Sequence, residues 1–152
     1  MRKVVYLAGN ISSDPETYTW RDRAIKLLRG YRVLNPAGNP FNKKLIKYYD
    51  GKSEEFLKSA IKQSQGILIV KDFNLVKNSD IILVNLGLIT PEKPPLGTVY
   101  ELAWAWYLKK PVVAIVGDNL YCKHPFTVAT FSATAENLED ACKVIKEFFE
   151  ER

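Results

Sequence analysis

A chain of 152 residues, 47% hydrophobic and 12% aromatic, is long enough for a single packed domain over residues 1–152 and excludes a disordered polypeptide. Its net charge of +5 comes from lysines scattered singly or in pairs such as Lys43-Lys44 and Lys109-Lys110. That pattern speaks against a nucleic acid polymer as partner and is met by solubility and attraction of small anions. Cys122, Cys142 and the lone His124 have no ligand spacing, so no metal is expected. There is no apolar run of membrane-spanning length, and the first residues lead straight into a strand pattern. The expectation is a cytoplasmic protein with reduced thiols, away from any membrane.

Along the chain, strand and helix patterns alternate. Val4 to Ala8 is a short apolar run ended by Gly9, a buried strand leading into a loop. Trp20 to Arg29 has helical spacing through Trp20, Ala24, Leu27 and Leu28, with Gly30 as its stop. Tyr31 to Leu34 reads as a second strand closed by Asn35-Pro36. Residues 37–66 are polar and lysine-rich, with Glu54 to Gln63 the best helix candidate among them. Ile67 to Val76 mixes apolar and polar residues without a decided period. Ile81 to Leu86 is the clearest strand, Leu96 to Leu108 a helix, and Val112 to Val116 a fourth strand. Ala129 to Ser132 reads as a short fifth strand and Glu136 to Phe149 as a final amphipathic helix. Continuous apolar strands separated by helices predict an α/β fold, a mainly parallel sheet of about five strands covered on both faces. Ligands in such sheets bind beyond the carboxyl ends of the strands, which singles out the loops over 9–17, 86–97 and 117–125.

The stretch Gly97-Thr98-Val99-Tyr100-Glu101-Leu102-Ala103-Trp104-Ala105 places one carboxylate in an otherwise apolar helical run. Gly97 and Thr98 follow the Pro94-Pro95 break, so Glu101 falls one turn into a helix, near the favourable end of its macrodipole. An ionised carboxylate with few hydrogen bonds suits attack on an electrophilic sugar carbon. From this stretch alone, a surface glutamate on an amphipathic helix fits equally well. Asp80, ahead of the most apolar strand, reads first as a capping residue. Asp72, flanked by Val70 and Phe73, is harder to explain as surface decoration. Held near Glu101, it completes the pair that glycosidic chemistry needs, one carboxylate attacking the sugar and one acid serving the leaving group. Tyr6 lies mid-strand, a core position whose hydroxyl needs a partner, for which a glutamate is suited.

The loop Gly9-Asn10-Ile11-Ser12-Ser13-Asp14-Pro15 lacks the glycine spacing of dinucleotide folds and of P-loops. Its Asn10, Ser12 and Ser13 can bond sugar hydroxyls or a phosphate, or make ordinary turns and caps. Trp20 can stack on a base, although a hydrophobic anchor is its commoner use. Arg21 and Arg23 read as solvated helix residues before phosphate ligands. Trp104, Trp106 and Tyr107 suit packing or a subunit contact, and His124 is not assigned a role as base.

Taken together, these pieces resemble the nucleoside 2-deoxyribosyltransferase family and its relatives, the 2-deoxynucleoside 5′-monophosphate N-glycosidases. The resemblance rests on Tyr6-Leu7-Ala8-Gly9, on Asp72 and Asp80 in Lys71-Asp72-Phe73-Asn74-Leu75-Val76-Lys77-Asn78-Ser79-Asp80, on the Glu101 stretch, and on Lys110-Pro111-Val112, in that order. It implies a three-layer flavodoxin-like, Rossmann-like domain in which Glu101 is the nucleophile at the deoxyribose anomeric carbon. Asp72 would protonate the departing base and deprotonate the incoming one, and Tyr6 would position Glu101. The expected substrate-binding set is Gly9, Asn10, Ser12, Trp20, Arg21, Asn85, Gly97 and Thr98. The implied partners are a deoxynucleoside or deoxynucleotide, a free nucleobase, and further copies of the chain in a homodimer or larger homo-oligomer; no cofactor is implied. Pro95 departs from both subgroups, standing where transferases carry an aspartate for the sugar 5′-hydroxyl and monophosphate hydrolases a serine. The expected activity is base exchange through a covalent deoxyribosyl-glutamate. The alternatives are an N-glycosidase acting on deoxynucleosides or their 5′-monophosphates and a non-catalytic nucleotide sensor.

Overall fold

The computed structural model describes residues 1–12, 14–40, 42, 62, 66–91 and 94–150. Strands β1 (Val4–Gly9), β2 (Arg32–Leu34), β3 (Ile81–Asn85), β4 (Val112–Ile115) and β5 (Ala133–Ala135) form one sheet in the order β2-β1-β3-β4-β5. Every pairing is parallel. The chain leaves β1 for β2 on one side and returns to β3 on the other, so strand order reverses beside the carboxyl end of β1. Such a switch opens a crevice above the sheet.

Alternation along the strands divides the core in two. Val5, Leu7, Ile81, Leu83, Val113 and Ile115 face α1 (Pro15–Leu27) and α6 (Leu138–Phe149), where Trp20, Ala24, Leu28, Ala141, Cys142 and Ile145 meet them. Tyr6, Ala8, Ile82, Val84, Val112 and Ala114 face the opposite way, against Val76 of α2 (Ile67–Lys77) and Leu102 and Ala105 of α3 (Leu96–Tyr107). The two-residue period of a strand sends neighbours to opposite faces. Tyr6 therefore belongs to the layer of α2 and α3, whereas Trp20 belongs to the other. As read from its sequence position, Cys142 is a core residue.

Element boundaries moved where capping chemistry overrides periodicity. Helix α1 starts five residues before Trp20 because Asp14 accepts from the Glu16 N–H at 2.9 Å and Pro15 takes the first helical position. The expected fifth strand at Ala129 to Ser132 is instead turn, after the short helices α4 (Leu120–Lys123) and α5 (Pro125–Val128), and the strand follows at Ala133. His124 caps α5, its Nδ1 accepting from the Phe126 N–H, so this histidine is built into a turn. Helix α6 begins at Leu138, where Asn137 accepts from the Asp140 N–H at 2.8 Å. The helix expected at Glu54 to Gln63 lies outside the described residues.

Ile67 to Val76, undecided in sequence, is helical. Its opening Ile-Leu-Ile-Val run has strand-like side chains, with Ile67, Ile69 and Val70 exposed. Its inner side carries Val76 into the core and Phe73 edge-on to Trp104 of α3, ring centroids 5.5 Å apart. Tertiary packing of this kind overrides weak local propensity. Asp80 acts as a tie, its carboxylate accepting from the Val4 N–H at 2.7 Å where β1 begins. Among the described residues no helix is long and apolar enough to cross a membrane.

Gly9 closes β1 with φ of +152°, and a side-chain carbon there would stand 3.2 Å from both the Asn85 carbonyl and the Trp20 ring. Both neighbours are fixed in the core. Gly9→Ala is expected to cost about 1–3 kcal/mol, combining backbone strain with this crowding. Chemical denaturation read by tryptophan fluorescence checks it; a midpoint unchanged from wild type contradicts that reading of the turn.

Candidate active site

The site begins at Tyr6 in the middle of β1. Its Oη donates to Glu101 Oε1 at 2.6 Å, joining residues 95 apart in the chain and buried from solvent. Glu101 faces inward because α3 buries Thr98, Glu101, Leu102 and Ala105, spaced by three, one and three, along one stripe. The outer stripe shows Tyr100, Trp106 and Tyr107 to solvent. Since α3 starts at Leu96, Glu101 lies in its second turn. The helix dipole, expected to support the carboxylate, fades beyond the first turn. The Tyr6 hydroxyl provides the contact that favours ionisation instead.

Burial opposes it. Loss of hydration pushes the Glu101 carboxyl up to about 8; the Tyr6 hydrogen bond works downward, the nearby Asp72 charge upward, and the Arg21 charge downward. Asp72 reaches the site from α2. Burial raises it to about 6, partly offset by Lys71. Its Oδ1 is buried and has no hydrogen-bond partner among the described residues. Burial also raises Tyr6 well above the usual phenol range, with Glu101 and Asp72 adding to the rise. Tyr6 is thus a neutral donor at any working pH. Two carboxyls with raised and different proton affinities therefore lie within electrostatic reach of each other and of one phenol. Between about pH 6 and 8 the pair holds one proton and one negative charge. Of the two, Glu101 holds that proton more tightly, so a form with Glu101 ionised and Asp72 protonated is the less favoured arrangement of the same single proton.

A family model of the nucleoside 2-deoxyribosyltransferases matches residues 5–143. The chain belongs to that family. It is thereby a member of a family of enzymes that transfer deoxyribosyl groups. No curated protein matches it in sequence. Solved structures that share its fold include the following three. A 2-deoxyribosyltransferase of Bacillus psychrosaccharolyticus is 23% identical with a TM-score of 0.58, over 90% of this chain and 88% of that one. A 2-deoxyribosyltransferase of Leishmania mexicana is 17% identical with a TM-score of 0.58, over 97% and 99%. The CMP N-glycosidase BcmB of Clostridium botulinum is 15% identical with a TM-score of 0.51, over 95% and 99%.

In this deoxyribosyltransferase-family chain, the remaining candidates divide by location. Gly9 pairs with Asn85 across the carboxyl ends of β1 and β3, at the strand-order reversal. Asn85 is buried and accepts from the Gly87 N–H at 3.0 Å, and the half-buried Asn10 follows Gly9 past the end of β1. Thr98 is buried on the Glu101 stripe, while Gly97 is exposed, with nothing within 4 Å of a carbon added there. Ser12 is turned to its own loop, its hydroxyl 2.9 Å from that of Thr17 and accepting from the Asp14 N–H. Ser13 lies outside the described residues. Trp20, considered as a base platform, packs in the core with Val5 and Leu7 on the sheet face opposite Glu101. It is an anchor.

Arg21 corrects the expectation of a solvated arginine, since it has no exposed surface. It stacks on Trp20, its guanidinium carbon 4.6 Å from the ring centroid, and donates to the backbone carbonyls of Gly9 at the end of β1 and Thr17 in the first turn of α1. Arg23 is the solvated one, paired with Glu139. Sequence reasoning assigned Arg21 by helical position alone. The available signal was its place beside the buried Trp20, within reach of the loop that closes β1. Among the described residues no cluster of histidine, cysteine and acidic groups could hold a metal.

Proposed function

We propose that the protein is a nucleoside 2-deoxyribosyltransferase that exchanges nucleobases through a covalent deoxyribosyl-Glu101 intermediate. The observation that carries the reading is the buried Tyr6–Glu101 hydrogen bond, with the half-buried Asp72 within electrostatic reach of both. Tyr6 engages Oε1 and orients the carboxylate, whose second oxygen attacks C1′ of the deoxyribose. The C1′–N bond breaks as Asp72 gives its proton to the departing base. The incoming base then yields a proton to Asp72, attacks C1′, and releases Glu101. Two inversions retain the anomeric configuration, and transfer follows ping-pong kinetics. Gly9, Asn10, Asn85, Gly97 and Thr98 are assigned to the substrate walls.

The second reading is N-glycosidase action on a deoxynucleoside or its 5′-monophosphate, with water releasing the sugar from Glu101. The net charge of +5 favours it for an anionic substrate. The exposed Tyr100, Trp106 and Tyr107 of α3 support assembly as a homodimer or larger homo-oligomer, and we assign the protein to the cytoplasm. Incubation with a deoxynucleoside and a different free base, and separately with deoxynucleoside monophosphates, followed by chromatography, separates the readings. A new nucleoside supports transfer. Free base with deoxyribose or its phosphate supports hydrolysis, and unchanged material across all four common bases rejects both in favour of a sensor.

A further inference from the structure

Arg21 is the charged side chain whose burial the chemistry above does not use. The guanidinium comes from α1, on the far face of the sheet from α2 and α3, and reaches over the end of β1. Nη2 donates to the Gly9 carbonyl at 3.0 Å. Nη1 donates to the Thr17 carbonyl at 2.7 Å and to the Asn10 carbonyl at 3.3 Å. Nε is buried with no partner among the described residues. Taking an arginine wholly out of water is unfavourable unless its hydrogen bonds or its charge are used. Neutral carbonyls accept three hydrogen bonds from the guanidinium and leave the charge uncompensated by any ion pair among the described residues.

We propose that Arg21 is a positioning residue for the glycosyl-transfer site. It clamps the Gly9–Asn10 turn over the carboxyl end of β1 and supplies the buried positive field that lets Glu101 become a carboxylate. Among the described residues three side chains act on Glu101. Tyr6 on β1 is neutral, Asp72 on α2 repels it, and Arg21 on α1 attracts it; the attraction is mutual, each favouring the charged form of the other. Burial lowers Arg21 itself to about 10, which leaves it charged throughout the working range. The Gly9 position explains the geometry: a side-chain carbon there would stand 3.2 Å from Trp20 and 3.6 Å from Arg21 Nη2. Only a bare backbone lets the stacked Trp20–Arg21 pair lie against the turn. Tryptophan thus serves as the platform on which the guanidinium is laid flat, in place of a nucleobase.

The catalytic part of this inference rests on the proposed role of Glu101; the field itself is tested without turnover. Titrating the Glu101 side-chain carboxyl carbon by NMR, assigned with Glu101→Gln, reads its proton affinity directly. Arg21→Gln keeps hydrogen-bond donors and removes the charge, and is expected to raise the titration midpoint by about one unit or more. An unchanged midpoint overturns the field. Arg21→Lys keeps a charge and loses the planar fork, so the midpoint is expected to stay near wild type. In the activity found for the wild type, that variant is expected to lose about 10–100-fold in kcat/KM through a displaced turn. Wild-type kcat/KM in Arg21→Lys overturns the clamp, even if Arg21→Gln fails to fold. A purely structural arginine gives a third pattern, lower thermal stability with the Glu101 titration and the acidic limb of activity unmoved, and that pattern rejects the proposal. Loss of every activity in the wild type leaves the NMR result standing and condemns only the functional reading.

Discussion

Glu101→Gln is expected to abolish turnover, with a loss of roughly 10³-fold or more, because a covalent route has no substitute for its nucleophile. The substitution keeps the shape of the side chain and an oxygen for Tyr6 to donate to, so the loss is not one of folding. Intact-mass analysis after exposure to a slowly released deoxyribosyl donor should show one sugar adduct on the wild type and none on the variant. Turnover within tenfold of wild type, or an adduct on the variant, removes Glu101 from the mechanism. The same substitution has a signature in stability. Folded Glu101 holds its proton to about pH 8, against an ordinary value of 4.5. Between those values the native state binds more protons than the unfolded chain, so wild-type stability falls as pH rises through them. Glutamine cannot ionise. The melting temperature of the variant relative to wild type should therefore climb from about pH 5 to about pH 9. A difference independent of pH means that the carboxylate carries no burial penalty.

Asp72→Asn is expected to lower kcat/KM by roughly 10²–10⁴-fold, the usual contribution of proton transfer to a poor leaving group. Asparagine cannot hand a proton to the departing base. A nucleoside whose base leaves without protonation should recover most of the loss, which a misfolded site could not do. The pH profile gives the complementary result. Under the proposed mechanism the productive form carries the pair's single proton on Asp72, the less populated of its two placements, so kcat/KM should still form a bell with limbs near 6 and 8. Below the lower limb both groups are protonated and no nucleophile exists; above the upper one both are ionised and no acid exists. In Asp72→Asn only the ionisation of Glu101 remains, and the bell should become a single ascending limb. Its midpoint should fall, because the like charge of Asp72 no longer opposes ionisation. A bell that persists in the variant assigns the second ionisation elsewhere.

The two carboxylates differ in how far the chain itself betrayed them. Glu101 stands out as the one carboxylate in an apolar helical run, but only the packing of α3 put it on the inward stripe with Thr98, Leu102 and Ala105 rather than on the surface. Asp72 lies in a segment whose opening β-branched run obscures the helical period, and its helix is fixed by packing of Phe73 on Trp104 and by Val76 in the core. Arg21 and Trp20 were legible as helix residues and opaque as a pair. A stacked guanidinium over a strand end depends on where α1 lies across the sheet, which no local pattern encodes. The fifth strand was misplaced by four residues for a simpler reason. Pro125 and the His124 cap start a helix within a stretch whose hydrophobicity reads equally well as extended.

By itself the sequence determined the alternation of buried strands and helices, the parallel sheet, the core position of Tyr6, and the resemblance to a deoxyribosyl-transferring family. Each of these follows from periodicity or from short motifs read within a few residues of one another. Only the tertiary structure decided that Tyr6 and Glu101, 95 residues apart, share a hydrogen bond at 2.6 Å, and that Asp72 and Arg21 bear on the same carboxyl from opposite faces of the sheet. The physical reason is that proton affinity depends on hydration, distance and neighbouring charge. Those quantities come into existence only when the chain has packed.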